Sequence, residues 1–188
     1  MAGLNGTFEN LLTALKLAAA ALRDAGIPFM LGGGMASWAR GGPPTDHDVD
    51  FMVKPTDIDR AGRALEVAGF TIEQPPEGWL RKAWLGDSLI DLIHRPVHHD
   101  IDDAMLQRAT EIEVQAVSMP VMSADDILVT KLLALSEHHA DFEGVLEVGR
   151  SLREQIDWES VRERTTESPF AKAFFVLMRE LGVVEAVA

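Results

Sequence analysis

The chain has 188 residues, which fits one domain, with or without a small appendage. It contains no cysteine, which excludes disulfides and thiolate zinc sites and makes the cytoplasm the default compartment. Its formal net charge of -13, from 30 acidic and 17 basic side chains, argues against a broad nucleic-acid surface, yet leaves room for a small basic patch that holds one nucleotide or an RNA end.

Helices and strands alternate in the first seventy residues. Hydrophobic periodicity and Gly or Pro breaks predict helices at 7–25, 35–40 and 56–69, and strands at 27–31 and 49–53. The apolar part of the first helix is too short to span a membrane and carries Lys16. We therefore expect it to be a buried helix, with no membrane contact.

A hairpin is predicted next, from strands 80–85 and 88–95 with Gly86 and Asp87 between them. The tight register of a two-residue turn places Lys82 opposite Asp91. Residues 111–120 predict one more strand. After residue 122 the pattern becomes helical, with Ser or Asp caps, so we divide the chain into a catalytic domain at 1–122 and a helical segment at 123–188.

Aspartates stand at every second position in the stretch that leads into strand 49–53: Asp46, Asp48 and Asp50. Alternate residues of a strand share a face about 7 Å apart, and two carboxylates brought to about 4 Å repel by about 4 kcal/mol. A divalent cation such as Mg²⁺ converts that repulsion into ligation. Asp91, in an otherwise apolar strand, offers a third ligand. A solvated strand edge with a salt-bridged Asp91 is the alternative.

Three glycines, 32–34, follow one predicted strand and precede a helix. Backbone N–H groups at such a junction converge on anions. The spacing matches neither a Walker loop nor a dinucleotide fingerprint. Together with the aspartates, the glycines predict a site for phosphate groups.

The glycines and aspartates together resemble the nucleotidyltransferase superfamily with the polymerase-beta-like fold. Gly33 and Gly34 match its Gly-Gly helix start, residues 48–51 match its Asp-x-Asp motif, and Asp91 matches its third carboxylate. Over residues 29–141 the chain looks most like bacterial AbiEii and MenT-type toxins. The resemblance implies an α+β fold, a mixed sheet flanked by helices and followed by a C-terminal helical segment.

The resemblance also implies a function. A nucleoside monophosphate would pass from a nucleoside triphosphate to an acceptor hydroxyl, with Mg²⁺ or Mn²⁺ held by Asp48, Asp50 and Asp91. The implied nucleotide contacts are Gly33, Gly34, Ser37, Arg40, Lys82, Lys131 and Asp141. For Lys131 and Arg40, a surface role without phosphate contact is the alternative. The acceptor is an RNA or tRNA end or a small hydroxylated molecule, and toxin relatives imply an antitoxin partner.

Other interpretations are open at this point. A non-catalytic nucleotide-binding or interaction module with the same fold is the alternative from a different functional class. The histidines His94, His98 and His99 suggest zinc, but no second ligand pair accompanies them, and a solvated loop or pocket rim explains them as well. One of the four tryptophans could stack on a base, but most are more simply explained as core or rim residues: Trp38, Trp79, Trp84 and Trp158.

Overall fold

The helices and strands are given by a computed structural model that describes residues 2–45 and 48–184. The α-helices in these ranges are α1 (Ala2–Asp24), α2 (Gly33–Ala39), α3 (Ile58–Val67), α4 (Asp103–Arg108), α5 (Ala124–Ala134), α6 (Phe142–Ser151), α7 (Trp158–Arg164) and α8 (Pro169–Glu180). The strands are β1 (Phe29–Leu31), β2 (Val49–Val53), β3 (Thr71–Glu73), β4 (Leu80–Leu85), β5 (Ser88–Ile93), β6 (Thr110–Val114) and β7 (Val117–Val121). Short 3-10 turns occupy Pro96–His98 and Arg153–Gln155.

These strands form one mixed sheet in the order β3-β4-β5-β2-β1-β7-β6. Strand β2 runs parallel to β5, and β1 runs parallel to β7, while the other neighbours are antiparallel. Alternate residues of β2, Val49, Phe51 and Val53, are fully buried, as their periodicity predicts. The predicted α+β class, a mixed sheet flanked by helices, is confirmed.

Helix α3 covers one face of the sheet near β4. Arg81 of β4 donates a hydrogen bond to Asp59 of α3 at 3.4 Å, so α3 lies on the Arg81 side. Because successive side chains of a strand point to opposite faces, Lys82 lies on the other side. The face that carries Lys82 is therefore the one available to a ligand.

The β4–β5 hairpin has the predicted register. Leu85 pairs with Ser88, and Lys82 pairs with Asp91. Gly86 has a φ of 59°, whereas Asp87 does not have a positive φ, which matches a type II′ turn rather than type I′. This turn fixes which residue stands opposite the third aspartate.

The segment predicted as one strand at 111–120 is instead a hairpin of β6 and β7. Gln115 and Ala116 connect the strands with φ angles of 51° and 65°. A type I′ turn needs positive φ at both positions and normally uses Gly, Asn or Asp there, so the sequence carried no turn signal. The prediction of a single strand was wrong for that reason.

Helix α4 was not predicted, and α1 begins earlier than the expected residue 7. None of the six residues of α4 is fully buried, so no strong apolar periodicity marks it. Asp102 caps it by accepting from the backbone N–H of Met105 at 2.8 Å. A capping residue that is not followed by a periodic apolar pattern is only a weak signal for a helix.

Between residues 123 and 184 the chain is helical, as predicted. Its four helices begin at Ser or Asp side chains that accept backbone N–H groups, namely Ser123, Asp141, Asp157 and Ser168. The predicted boundary falls between β7 and α5, where the sheet ends. That residues 1–122 and 123–188 are separate units stays a prediction. Among the described helices, none has both the length and the apolar character that crossing a bilayer requires.

Candidate active site

Three aspartates meet on one face of the sheet. Asp50 of β2 pairs in parallel register with Asp91 of β5, and Asp48 directly precedes β2. One carboxylate oxygen from each residue lies within 4.8 Å of the others. We call Asp48, Asp50 and Asp91 the acidic triad. The parallel pairing, which joins strands about forty residues apart in the sequence, brings the third carboxylate to the other two.

The carboxylates of the acidic triad disturb one another electrostatically. Loss of water around Asp50 raises its pKa to about 7, with repulsion from Asp48 and then Asp91 adding to the rise. Burial likewise raises the pKa of Asp91, although Lys82 opposes the shift. Hard divalent cations prefer clustered carboxylate oxygens of this kind, so the triad fits Mg²⁺ or Mn²⁺.

Two lysines predicted to contact the triphosphate lie near the acidic triad. Lys82 Nζ is 3.2 Å from Asp91 Oδ1 and 3.4 Å from Asp91 Oδ2. Lys131, on α5, is close enough to Asp50 to lower its pKa, as Lys82 also does. The two cations reach the aspartates from the sheet and from α5, and both are partly exposed.

The predicted glycine junction contacts the triad through its backbone. Gly32 donates its N–H to the Asp50 backbone oxygen at 2.8 Å, and Gly33 follows with a φ of 56°. A Cβ at Gly33 would lie 1.6 Å from Asp50 Oδ2, and one at Gly34 would lie 2.9 Å from Thr45 Oγ1. Only glycine allows so close an approach of backbone to carboxylate at Gly33.

Arg40 has its guanidinium occupied by other parts of the chain. Its Nε donates to the Met122 oxygen at 2.6 Å, and Nη2 donates to the Val121 oxygen at 2.9 Å and to Thr110 Oγ1 at 2.7 Å. Gln155 accepts from Nη1 at 3.4 Å and returns a bond to the Arg40 oxygen at 2.9 Å. Arg40 thus ties α2 to the end of β7 and to the helical segment.

The structure also places the other two predicted nucleotide contacts in local roles. Ser37 is 1% exposed, and within the described ranges its hydroxyl has no hydrogen-bond partner. A Cβ on Gly42 would lie 2.2 Å from that hydroxyl, so Ser37 packs under the loop. Asp141 accepts the N–H of Gly144 at 3.1 Å and caps α6. Asp46 lies outside the described residues.

The histidines do not form a metal site in the structure. His94 is buried, and its Nε2 lies 3.0 Å from the Gly78 oxygen. His98 and His99 are exposed. In the ranges 2–45 and 48–184, the acidic triad is the one group of three or more His, Asp or Glu side chains that meets the geometry for a metal ion.

Sequence reasoning missed Glu73 as a neighbour of this site. Glu73 of β3 pairs with Lys82 of β4, and its charge contributes to the raised pKa of Asp91. The short strand β3 is not joined to β4 by a tight turn that would set its register, so no local pattern predicts that Glu73 lies beside Lys82. Trp84, one of the tryptophans for which a core or rim position was the simpler expectation, is half-buried on the same face as Lys82.

A family model described as uncharacterised nucleotidyltransferase matches residues 9–181. The chain belongs to this nucleotidyltransferase family. Its general activity is therefore nucleotidyl transfer, as the acidic triad and the glycine junction led us to expect. No curated protein matches the sequence.

Solved structures of antibiotic-modifying enzymes share the fold of this nucleotidyltransferase. The antibiotic-resistance factor ANT(2'')-Ia aligns over 93% of this chain and 98% of its own, with 19% identity and a TM-score of 0.61. A structure of ANT(2'')-Ia in complex with adenylyl-2''-tobramycin aligns over 86% and 97%, with 19% identity and a TM-score of 0.59. The lincomycin-bound lincosamide antibiotic adenylyltransferase LnuA aligns over 72% and 94%, with 13% identity and a TM-score of 0.51.

At these identities the likeness shows the fold alone. The family match confirms the predicted superfamily, and these structures confirm the predicted fold. The closer resemblance to AbiEii and MenT-type toxins is not confirmed by the comparisons.

Proposed function

We propose that the chain transfers a nucleoside monophosphate from a nucleoside triphosphate to a hydroxyl of a small acceptor molecule, releasing pyrophosphate. The observation that carries this proposal is the acidic triad, with carboxylate oxygens from two parallel strands within 4.8 Å of one another. Lys82 and Lys131 beside it supply positive charge for the phosphates. A cluster with this balance of charges suits an anionic substrate that arrives with divalent cations.

Asp48, Asp50 and Asp91 are the residues that would hold Mg²⁺ or Mn²⁺. When bound there, such ions stabilise the attacking and leaving oxygens of an in-line displacement at phosphorus. The raised pKa of Asp50 supports this assignment, since a divalent cation relieves the repulsion that raises it.

We assign to Asp91 the role of receiving the proton of the acceptor hydroxyl. In the transfer step the acceptor oxygen bonds to the α-phosphorus, the bond from that phosphorus to the bridging oxygen breaks, and pyrophosphate leaves. Burial raises the pKa of Asp91, which makes its carboxylate a better base, while Lys82 opposes that rise. Lys82 can then turn from Asp91 toward developing negative charge, because its side chain is partly exposed.

We assign the triphosphate contacts to Gly33, Gly34, Lys82 and Lys131. Gly33 lies directly against the Asp50 carboxylate, and Lys131 lowers the pKa of that group. We do not carry Ser37, Arg40 and Asp141 into this set. Ser37 is buried, the Arg40 guanidinium bonds other parts of the chain, and Asp141 caps α6.

A small acceptor is favoured over an RNA end. The net charge of -13 opposes a long phosphate backbone, whose binding depends on many Lys and Arg contacts. The solved structures with this fold include an adenylyltransferase with bound lincomycin and one with adenylyl-2''-tobramycin, both small molecules. An RNA end, with an antitoxin as partner, is the second candidate, carried by the toxin resemblance.

Calorimetry and label transfer together test this function. We expect wild type to bind a nucleoside triphosphate only with Mg²⁺ or Mn²⁺, and Asp50→Asn to lose that binding. Asp87→Asn is the matched control, because Asp87 is an exposed aspartate at the hairpin turn. With α-labelled triphosphates and cell extract, the label should move to a small molecule in an Asp91-dependent manner.

The outcomes separate the alternatives. Label that moves to RNA would favour the second candidate. Metal-dependent binding without transfer to anything would favour a non-catalytic nucleotide-binding module. No metal-dependent binding at all would refute the proposal.

A further inference from the structure

An open strip of the sheet extends from the acidic triad toward the β3 edge. Lys82 of β4 stands opposite Asp91, and Glu73 of β3 stands opposite Lys82. Trp84 lies two residues beyond Lys82 and therefore on the same face, opposite Leu89 of β5. We call Glu73, Trp84 and Leu89 the open strip. Helix α3 covers the other face of these strands.

Glu73 and Trp84 are joined by a hydrogen bond. The Trp84 indole N–H donates to Glu73 Oε2 at 3.2 Å, which orients the carboxylate beside the ring. Trp84 and Leu89 are half-buried and Glu73 is exposed. The strip therefore presents an aromatic ring, an aliphatic side chain and a carboxylate to solvent.

Glu73 carries a negative charge for which the described residues provide no counter-ion. In the described parts of the chain, no Lys, Arg or His lies within ion-pair distance of its carboxylate. Lys82, its pairing neighbour, is directed to Asp91 at 3.2 Å. A cation at the strip would therefore be attracted to Glu73 and would not have to displace a charged side chain of the described residues.

A carboxylate and an aromatic face favour the same kind of ligand group. A protonated amine forms charge-assisted hydrogen bonds with a carboxylate, and it is also attracted to the face of a tryptophan ring. The adjoining apolar surface of Trp84 and Leu89 suits the carbon face of a small ring. Two residues along a strand span about 7 Å, so an amine at Trp84 leaves a hydroxyl of the same molecule within reach of Asp91.

We propose that the open strip is the acceptor subsite, and that the acceptor is a small polyhydroxylated molecule carrying a protonated amine. This inference rests on the proposed function, because it uses Asp91 as the group that receives the acceptor proton. Glu73 and Trp84 select the acceptor through its positive charge, while the acidic triad acts on its hydroxyl.

Acceptor binding can be measured without any transfer. The probes are amino sugars, aminocyclitols and amino-alcohol nucleosides, each paired with its N-acetylated counterpart, which lacks the positive charge. Ligand-observed NMR at pH 7 would give the affinity of each pair for the full chain without a triphosphate. We expect at least one amine to bind about tenfold or more tightly than its counterpart.

Two variants and their controls locate that binding. Glu73→Gln keeps an acceptor for the Trp84 N–H but removes the charge, and it should weaken amine binding about tenfold or more. Trp84→Leu should weaken it as well. The controls are Glu77→Gln and Trp79→Phe, which change an exposed glutamate and an exposed tryptophan outside the strip and should bind the amine as wild type does. Thermal denaturation checks that every variant is folded.

Two results would overturn the inference. One is that no amine binds better than its N-acetylated counterpart, and the other is that Glu73→Gln binds amines as wild type does. If either occurs while wild type still binds a triphosphate with Mg²⁺, the acceptor assignment alone fails. If wild type binds no triphosphate with Mg²⁺, the proposed function fails instead.

Discussion

The contact between Gly33 and Asp50 can be tested by adding one methyl group. Gly33→Ala would place a Cβ 1.6 Å from Asp50 Oδ2, where real Cβ atoms essentially never come within 3.0 Å of another atom. The carboxylate, or the backbone at Gly33, must therefore move by more than about 1 Å. Either movement changes the shape of the acidic triad.

A matched control removes the effect of backbone strain. Gly26 has a φ of 62°, close to the 56° of Gly33, and a Cβ there would meet nothing within 4 Å. Placing alanine in the left-handed region costs about 1–2 kcal/mol, so both variants should lose a similar amount of unfolding free energy. The difference between Gly33→Ala and Gly26→Ala then isolates the contact with Asp50.

The expected loss of transfer activity in Gly33→Ala follows from the displacement of the Asp50 carboxylate or of the backbone at Gly33. A shift of about 1 Å in a catalytic group can lower a rate about 100-fold. We expect Gly33→Ala to lose transfer activity by that order and to bind Mg²⁺ with triphosphate more weakly, while Gly26→Ala keeps wild-type values. Urea denaturation, calorimetry and label transfer measure the three quantities. Equal triphosphate affinity and transfer rate in the two variants would refute the reasoning.

Three further predictions concern stability. The folded chain without metal raises the pKa of Asp50 to about 7, so Asp50 ionises at a lower pH in the unfolded chain than in the folded one. In EDTA, the unfolding free energy of wild type should therefore fall by about 3 kcal/mol relative to that of Asp50→Asn between about pH 4 and pH 7, as measured by urea titration. A difference between the two proteins that does not change with pH would contradict this. Arg40→Lys should lower the unfolding free energy by about 2 kcal/mol, because a lysine ammonium group cannot replace a guanidinium that donates hydrogen bonds to several acceptors. A thermal midpoint equal to that of wild type would show that these hydrogen bonds do not stabilise the fold. Asp126 is fully buried and pairs with Arg108 and Arg164, which are partly exposed, so Asp126→Asn should cost about 2–3 kcal/mol in denaturant unfolding. A loss below about 1 kcal/mol would show that the two ion pairs are dispensable.

Local patterns predicted the elements whose signals lie within a few residues. The Gly86 turn fixed the β4–β5 register, and with it the position of Lys82 opposite Asp91. The Ser and Asp caps marked the starts of α5 to α8. The Gln115–Ala116 turn escaped because neither residue is typical of positive φ. Helix α4 escaped because it has no buried side chain.

The residues of the candidate site also include some that a local motif predicts and some that it does not. The triad aspartates and the glycines carried a motif, so they were named from the sequence, and the structure brings them together. The family resemblance implied that Arg40 contacts the phosphates, whereas in the structure its guanidinium donates hydrogen bonds to backbone oxygens at the end of β7. A side chain that long has many possible partners, and its position in the sequence does not choose among them.

The sequence by itself determined the alternation of β2, the tight β4–β5 hairpin, the helix caps and the residue types of the acidic triad, since each depends on neighbours a few positions away. Only the tertiary structure decided that β2 pairs in parallel with β5, that Gly33 lies against Asp50, and that Glu73 stands beside Lys82 with Trp84. These contacts join segments far apart in the chain. They are chosen by packing of the whole core, which no local pattern records.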